Sequence, residues 1–585
     1  MIYNSIIRFY RRNGKRLRKI HYDVQEKGMG INMKKRLLIT VLCVVPITLS
    51  TPLQSMASNN QAFMEEAKEA DVNDKKEMKI SFKVNDEVVK ELQVSTKDVI
   101  TEECLPEEPT KEGQDFLGWY WGPKRNPKKY EGVFPLDLSK IPEDVFNRLN
   151  GTVEFVAYFG KNVDGNELEK PGYRLIFNEE FNGKTLDKTK WVDKYLSSWS
   201  QTWERTQGFY MEDGVMNLQI EEDTQPWCPE FDGNTVISGF TTGQRNGLHK
   251  WNPENQVRNP QDTELTHINQ YGYYEMRAKG QSGSARHSAW WLTGFEDIPE
   301  ESAEIDIFEV LGKDNGAVPP AVHKWNDSDC FIKTPIHAYR SGNKDFNNEY
   351  HVYGFDWQQG TGRGKYPDKI VFYVDGEKYA EKNVNISYPM IQLISVYEKR
   401  EKNAWTGSWE WMPYPNSMEV DYVRVYKKLP QNEEKILSSD LKIEEIQTED
   451  LVIPENKIEL KTYKGTNYIE KNLEGTKSYV RVKWNDGVET QEPVTWDSIT
   501  EEDLFALRSG KAIMKEGLVK ITSIPGTQNF EKTTMQIKPE GYISDAYKAE
   551  GIHGDLGLLF DKKIDENDAD SAEFTGDLEA MKQGK

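Results

Sequence analysis

Three carboxylates fall within six residues at Glu304-Ile305-Asp306-Ile307-Phe308-Glu309, separated by large apolar side chains. That alternation reads as a β-strand and not as a charged surface run. On a regular strand successive side chains point to opposite faces, so Glu304 and Asp306 share one face and Glu309 takes the other. One β-bulge near Ile307-Phe308 returns Glu309 to the carboxylate face, and bulges commonly re-aim side chains beside functional sites. The two glutamates are then four strand steps apart, about 13 Å between Cα atoms at ~3.3 Å per step. Side chains leaning inward close roughly 7–8 Å of that and leave about 5–5.5 Å between carboxyls. At this spacing one carboxylate attacks an acetal carbon while the other protonates the leaving oxygen. Acidic residues on an exposed strand are common without any chemistry, but the flanks favour it here. Ala289-Trp290-Trp291-Leu292-Thr293-Gly294 precedes the segment and Val322-His323-Lys324-Trp325 follows it. Carboxylates between aromatic-rich strands suit a groove for sugar rings.

The elements that position these groups belong to a long chain. At 585 residues several domains are expected. The net charge of −21 argues against nucleic-acid binding, which needs clustered positive charge, and fits a soluble exported protein. Residues 33–57 have the form of a secretory signal, with Lys34-Lys35-Arg36, an apolar run from Leu37 to Leu49, and Ser55-Met56-Ala57 as the cleavage site. The run is short for a membrane span, and an uncleaved anchor is the alternative. Met33 is the expected start, after a basic upstream extension, so residues 1–57 read as extension plus signal peptide. The expected location is extracellular, with association to a bacterial cell surface. Cys43 lies in the signal segment. Cys104, Cys228 and Cys330 form neither a disulfide framework nor a zinc spacing. They read as isolated thiols, with a Cys228–Cys330 bridge as the alternative.

Residues 58–76 are polar and read as a linker. Residues 77–162 form a compact unit, opened by the alternating Ile80-Ser81-Phe82-Lys83-Val84. It continues through Pro109-Thr110-Lys111-Glu112-Gly113 and Phe116-Leu117-Gly118-Trp119-Tyr120, and Val156-Ala157-Tyr158-Phe159 closes it. These motifs resemble the internalin-type B repeat, a small β-grasp module, although the insertion at 124–147 is long for that family. Residues 168–428 carry many short alternating runs. One is Phe372-Tyr373-Val374, which ends in an Asp375-Gly376 hairpin turn. Short strands with turns between them predict an all-β sandwich of low helical content. Residues 427–455 are charged and read as a linker. The alternation over 440–541 resembles a bacterial Ig-like accessory module. Residues 542–585 read as an acidic tail or a truncated further domain.

Several separated motifs of the central region resemble glycoside hydrolase family 16, the laminarinase, agarase and endo-β-galactosidase group. They include Phe177-Asn178-Glu179-Glu180-Phe181-Asn182-Gly183, Tyr271-Gly272-Tyr273-Tyr274-Glu275-Met276-Arg277, Tyr350-His351-Val352-Tyr353-Gly354-Phe355-Asp356-Trp357 and Met418 to Tyr426. The resemblance implies a concanavalin-like jelly-roll sandwich with a cleft on its concave sheet, and endo-acting, retaining cleavage of a β-linked glycan. By position it implies Glu304 as nucleophile, Glu309 as general acid/base and Asp306 as the assisting carboxylate. It further implies Trp291 at the cleft floor, and His323, Arg286, Trp203 and Trp290 as substrate-binding candidates, with Trp199 and Arg205 nearby. Arg286 and His287 depart from the aromatic-proline pair of laminarinases, which leaves both β-glucan and β-galactan open. No cofactor is implied for catalysis. A structural calcium is implied at Glu180, Gly214 and Asp421, whose oxygens suit that ion. The implied partner is a polysaccharide acted on by a monomer. A carbohydrate-binding protein without catalysis and a transglycosylase are the alternatives.

Overall fold

The computed structural model describes residues 77–121, 134–140, 151–330, 336–361, 368–402, 404–430 and 436–542. The signal segment, the 58–76 linker, residues 124–133 and 141–147 of the insertion and the tail beyond residue 542 lie outside the described residues. Among those described, no helix is long and apolar enough to cross a membrane. The only α-helices among the described residues are Pro229–Asp232 and Glu501–Arg508, which matches the all-β expectation.

The apolar alternation of the central region folds into two antiparallel sheets. The smaller has five strands in the order Thr235–Thr241, Met390–Lys399, Arg286–Gly294, Glu304–Leu311 and Ala321–His323. The larger contains Gly272–Lys279, His351–Gln358 and Asn416–Lys428 at its middle, and Tyr173–Glu179 pairs along the last of these. Trp290, Leu292, Ile305 and Phe308 from the smaller sheet pack against Tyr274, Met276, Phe355 and Val423 from the larger. Burying each such side chain is worth about 1.5–3 kcal/mol. A second apolar cluster covers much of the outer face of the smaller sheet, where Ala289, Trp291 and Leu393 meet Tyr195, Trp199 and Trp227 from loops. The unbroken apolar run at 289–292 therefore has a physical reason, because its strand is covered on both faces.

The N-terminal unit is a four-stranded mixed sheet. Its Glu77–Val84 strand lies parallel to Thr152–Lys161 and antiparallel to Glu87–Ser95, and Gln114–Trp121 forms an edge. The C-terminal unit has six strands in one continuous order and the helix Glu501–Arg508. The helix starts at a reciprocal cap, in which Thr500 Oγ1 accepts from the Asp503 N–H while the Asp503 carboxylate accepts from the Thr500 N–H. Two features correct the linker expected over 427–455. Ile443–Gln447 and Leu451–Ile453 are strands of the C-terminal sheet. Lys427 is buried, where it donates to the Gln270 carbonyl and lies 3.5 Å from Gln491 Oε1. Burial lowers its pKa to about 7.

Candidate active site

The strand Glu304–Leu311 carries the bulge expected from its sequence. Trp290 pairs with Phe308 and Trp291 with Asp306, so Ile307 has no partner across the pair. Ile305, Ile307, Phe308 and Val310 all enter the core between the sheets. The extra residue thus turns Glu309 to the outer face with Glu304 and Asp306, opposite Ala289, Thr293 and Trp291 on the neighbouring strand.

These carboxylates sit in a poorly solvated pocket of charge. Burial raises the Glu304 pKa well above its ordinary value, and the Asp306 charge adds to the rise. Burial raises Asp306 as well, followed by the charge of Glu309. Glu309 is pushed up to about 7, first by burial and then by Glu304. Carboxyl oxygens of Glu304 and Asp306 lie within 4.8 Å of each other, so the two groups resist ionising together. No lysine or arginine among the described residues pairs with any of the three. The Trp325 indole N–H donates to Glu304 Oε2 and favours its ionised form. The Glu309 side chain accepts no comparable bond among the described residues.

Two further residues contact Glu304 directly. His249 Nε2 lies 3.9 Å from Glu304 Oε2, and its ring packs against Trp291 and Trp325 at 4.9 and 5.2 Å between centroids. Burial, aided by His323, lowers its pKa to about 3, so it is neutral. Sequence reasoning missed His249, which arrives on a loop 55 residues before Glu304. Trp325 was visible as a flank but not as the carboxylate's donor. Both hold left-handed backbone, φ 53° for His249 and φ 43° for Trp325. For bulky side chains this costs about 1–3 kcal/mol and gathers at functional sites.

The remaining candidates separate cleanly. His323 pairs across from Glu304 and places Nε2 3.4 Å from Asp306 Oδ2, half exposed at the groove. Trp291 lies on the carboxylate face, with its indole donating to Ser395 Oγ at 3.2 Å. Trp290 points the other way and is core, with its N–H on Gln392. Arg286 is also not a sugar ligand. It is fully buried, its Nε 2.8 Å from Glu398 Oε2, and it donates to the Ser284 and Glu410 carbonyls. A buried guanidinium so paired has no donor left facing a groove. Trp203 is half-buried on a short turn, and no hydrogen bond or ring contact links it to the carboxylates; the Lys194 ammonium lies 5.8 Å over its ring. Trp199 is buried and donates to the Leu248 carbonyl, while Arg205 donates to the Pro226 carbonyl. Cys228 and Cys330 are separate free thiols.

Glu304, Asp306 and His323 offer ligand atoms that all lie within 4.8 Å of one another, a three-donor set for a cation. The calcium candidates are brought together, but around an amine. The Lys161 ammonium, from the last strand of the N-terminal unit, lies 2.6 Å from Asp421 Oδ1 and 3.8 Å from Glu180 Oε2. Arg277 takes Asp421 Oδ2 at 2.5 Å, and Arg424 grips Glu180 through Nε at 2.7 Å and Nη2 at 3.1 Å. A Cβ on Gly214 would come within 2.9 Å of the Lys161 side chain. Three cations around two carboxylates do not fit a calcium ion, and the lysine occupies its place.

Comparison with known proteins bears on the central region. The family model described as Glycosyl hydrolases family 16 matches residues 197–424. The chain is 26% identical over 303 residues to a glucan endo-1,3-beta-glucosidase A1 of Niallia circulans, covering 44% of this chain and 38% of that protein. It is 24% identical over 281 residues to a keratan-sulfate endo-1,4-beta-galactosidase of Sphingobacterium multivorum, covering 46% and 58% respectively. The chain thus spans between about a third and three fifths of these relatives. Among solved structures, the GlcNAcα1-4Gal releasing endo-β-galactosidase from Clostridium perfringens is 22% identical with a TM-score of 0.40. That match covers 64% of this chain and 99% of that one. The family match and the curated relatives support a glycoside hydrolase family 16 domain in this part of the chain.

Proposed function

We propose that this protein is an endo-acting, retaining glycoside hydrolase that cleaves internal β-linkages of a glucan or galactan. The observation that carries the reading is the Ile307 bulge, which sets Glu304, Asp306 and Glu309 on one face. Curated relatives named for endo-acting cleavage of a glucan and of keratan sulfate agree with the reaction class and leave the sugar open.

The geometry assigns distinct roles. Glu304 is the one of the three that receives an indole N–H, which favours its ionised form against the burial that raises it, and in that form it attacks the anomeric carbon. Glu309, held protonated to about pH 7, donates to the leaving oxygen. Once the covalent glycosyl–Glu304 ester has formed, ionised Glu309 removes a proton from water. That water displaces the sugar from Glu304, and the proton returns Glu309 to its starting state. Asp306, on the same strand face as Glu304, assists by holding its orientation. His249 and Trp291 wall the nucleophile and exclude solvent, and His323 borders the groove.

In this reading the protein acts outside the cell as a monomer. The signal at 33–57 directs export, and the modules resembling an internalin-type B repeat and an Ig-like domain hold the enzyme at a cell surface or on insoluble substrate. The test is incubation with laminarin, agarose, mucin glycans and lichenan, with product masses and the anomeric configuration of the first product followed by NMR. Internal cleavage with the β-anomer appearing first is expected. An α-anomer formed first, or no cleavage of any glycan, removes the reading. Longer products formed with an added acceptor sugar identify a transglycosylase instead.

A further inference from the structure

A cavity of about 580 Å³ lies between the sandwich and the C-terminal unit, within the size range of sugar and small-ligand sites. It adjoins the carboxylate cluster through two chain segments. Leu248 lines it, and the next residue, His249, faces Glu304. Asn326 lines it, and the residue before, Trp325, donates to Glu304. Glu296 also lines it, and its Oε1 accepts from the His249 N–H at 2.8 Å. The cavity therefore lies beside the nucleophile's end of the groove.

The lining has an unusual division between charge and neutral polarity. Its ionic groups largely satisfy one another, with Arg245 on Asp297 at 2.7 Å and Lys471 on Asp262 at 2.7 Å. Glu470 accepts from Asn246 and from the Tyr463 hydroxyl. The amides and a hydroxyl do not. Both polar atoms of the Asn255 side chain, Asn472 Oδ1 and Thr476 Oγ1 are buried and bond to no protein group. Asn255 is 3% exposed and Thr476 6%. A buried amide without partners is costly, so these unpaired groups among the lining residues point to something that pairs with them. Asn255 needs both a donor and an acceptor, which a sugar hydroxyl supplies in one group. Tyr463 and Tyr468 add aromatic surface beside these amides.

We propose that this cavity is a second sugar-binding site, which takes uncharged, hydroxyl-rich units of the same glycan chain whose scissile linkage lies at Glu304 and Glu309. It rests on the glycosidase reading above. The C-terminal unit is then part of the substrate-recognition surface, and long substrates gain contacts that short ones never reach.

The probes are laminarin and agarose with their tetrasaccharides, added to the full-length Glu304→Gln protein, whose lack of turnover isolates binding. Asn255→Ala and Tyr468→Ala are each added to that background, with thermal melting to confirm the fold. Binding to at least one of the two polymers is expected to weaken about tenfold in both variants, the size of a lost hydrogen bond or ring contact, while its tetrasaccharide binds unchanged. Equal weakening for polymer and tetrasaccharide overturns the site, as does no weakening, or no binding of either polymer before the changes. Reducing-end release by the unmodified protein is scored separately. Its absence removes the catalytic reading, whereas the length-selective loss tests the cavity on its own terms.

Discussion

Glu180 and Asp421 meet Lys161, Arg277 and Arg424, whereas Glu304, Asp306 and Glu309 meet no lysine or arginine among the described residues. Both are acidic clusters carried by strands of the same sandwich. In the first, cations complete the charge and knit two modules together. In the second, burial without cations holds protons on the carboxylates, a state useful to acid–base chemistry and unfavourable for stability alone. The surroundings of the two clusters, more than their acidic residues, separate a structural cluster from a reactive one.

The comparison is best tested at the reactive cluster first. Glu304→Gln is expected to lower kcat by about 10⁴-fold or more with an unchanged melting curve, because a nucleophile has no substitute. A residual rate within tenfold of the unmodified protein breaks the contrast. Next, Glu309→Gln is expected to cost roughly 10²–10⁴-fold. In the unmodified protein, activity falls as pH rises through about 7, where Glu309 loses its proton. Folding raises that pKa, so the group's contribution to stability is full below its unfolded value of about 4.3 and is lost as pH rises toward 7. Glu309→Gln therefore flattens that decline in melting temperature as well as the alkaline limb of activity. Trp325→Phe keeps the ring and removes the N–H on Glu304, for an expected loss of about 10- to 100-fold in kcat, since hydrogen bonds to charged groups are worth about 1.5–3 kcal/mol.

At the structural cluster the effects move from rate to stability. Lys161→Ala is expected to cost about 1–3 kcal/mol in unfolding free energy, discounted for its partial exposure, and to leave kcat nearly unchanged. The smallest effect is a null one. Calcium or a chelator leaves the melting temperature of the unmodified protein where it is, while in Lys161→Ala millimolar calcium raises it. A chelator-sensitive unmodified protein would falsify the assignment of the lysine to that place.

Parity along one strand made the carboxylate face legible from residue order, and the bulge was demanded by the count between Glu304 and Glu309. The sandwich was legible from the same short-range alternation. Contacts between distant segments were not. Arg286 is a polar residue at the start of a strand beside Glu304–Leu311, and only its pairing with Glu398, 112 residues away, shows that it points inward. His249 reaches Glu304 through a left-handed loop conformation that no local pattern announces. Lys161 sits 260 residues from Asp421 and in a different module. The helix Glu501–Arg508 was signalled by Thr500 and Asp503 but is short enough to hide among strands.

The Lys161 contact also bears on how the protein is cut. A fragment begun at residue 168 would contain Glu304, Asp306 and Glu309, yet it would leave Glu180 and Asp421 without the ammonium that both face. Such a trimmed enzyme carries a hidden electrostatic debt at the seam. A piece that begins at residue 77 keeps that contact and is expected to melt higher than one begun at 168, with the first module serving as a bolt driven into the second.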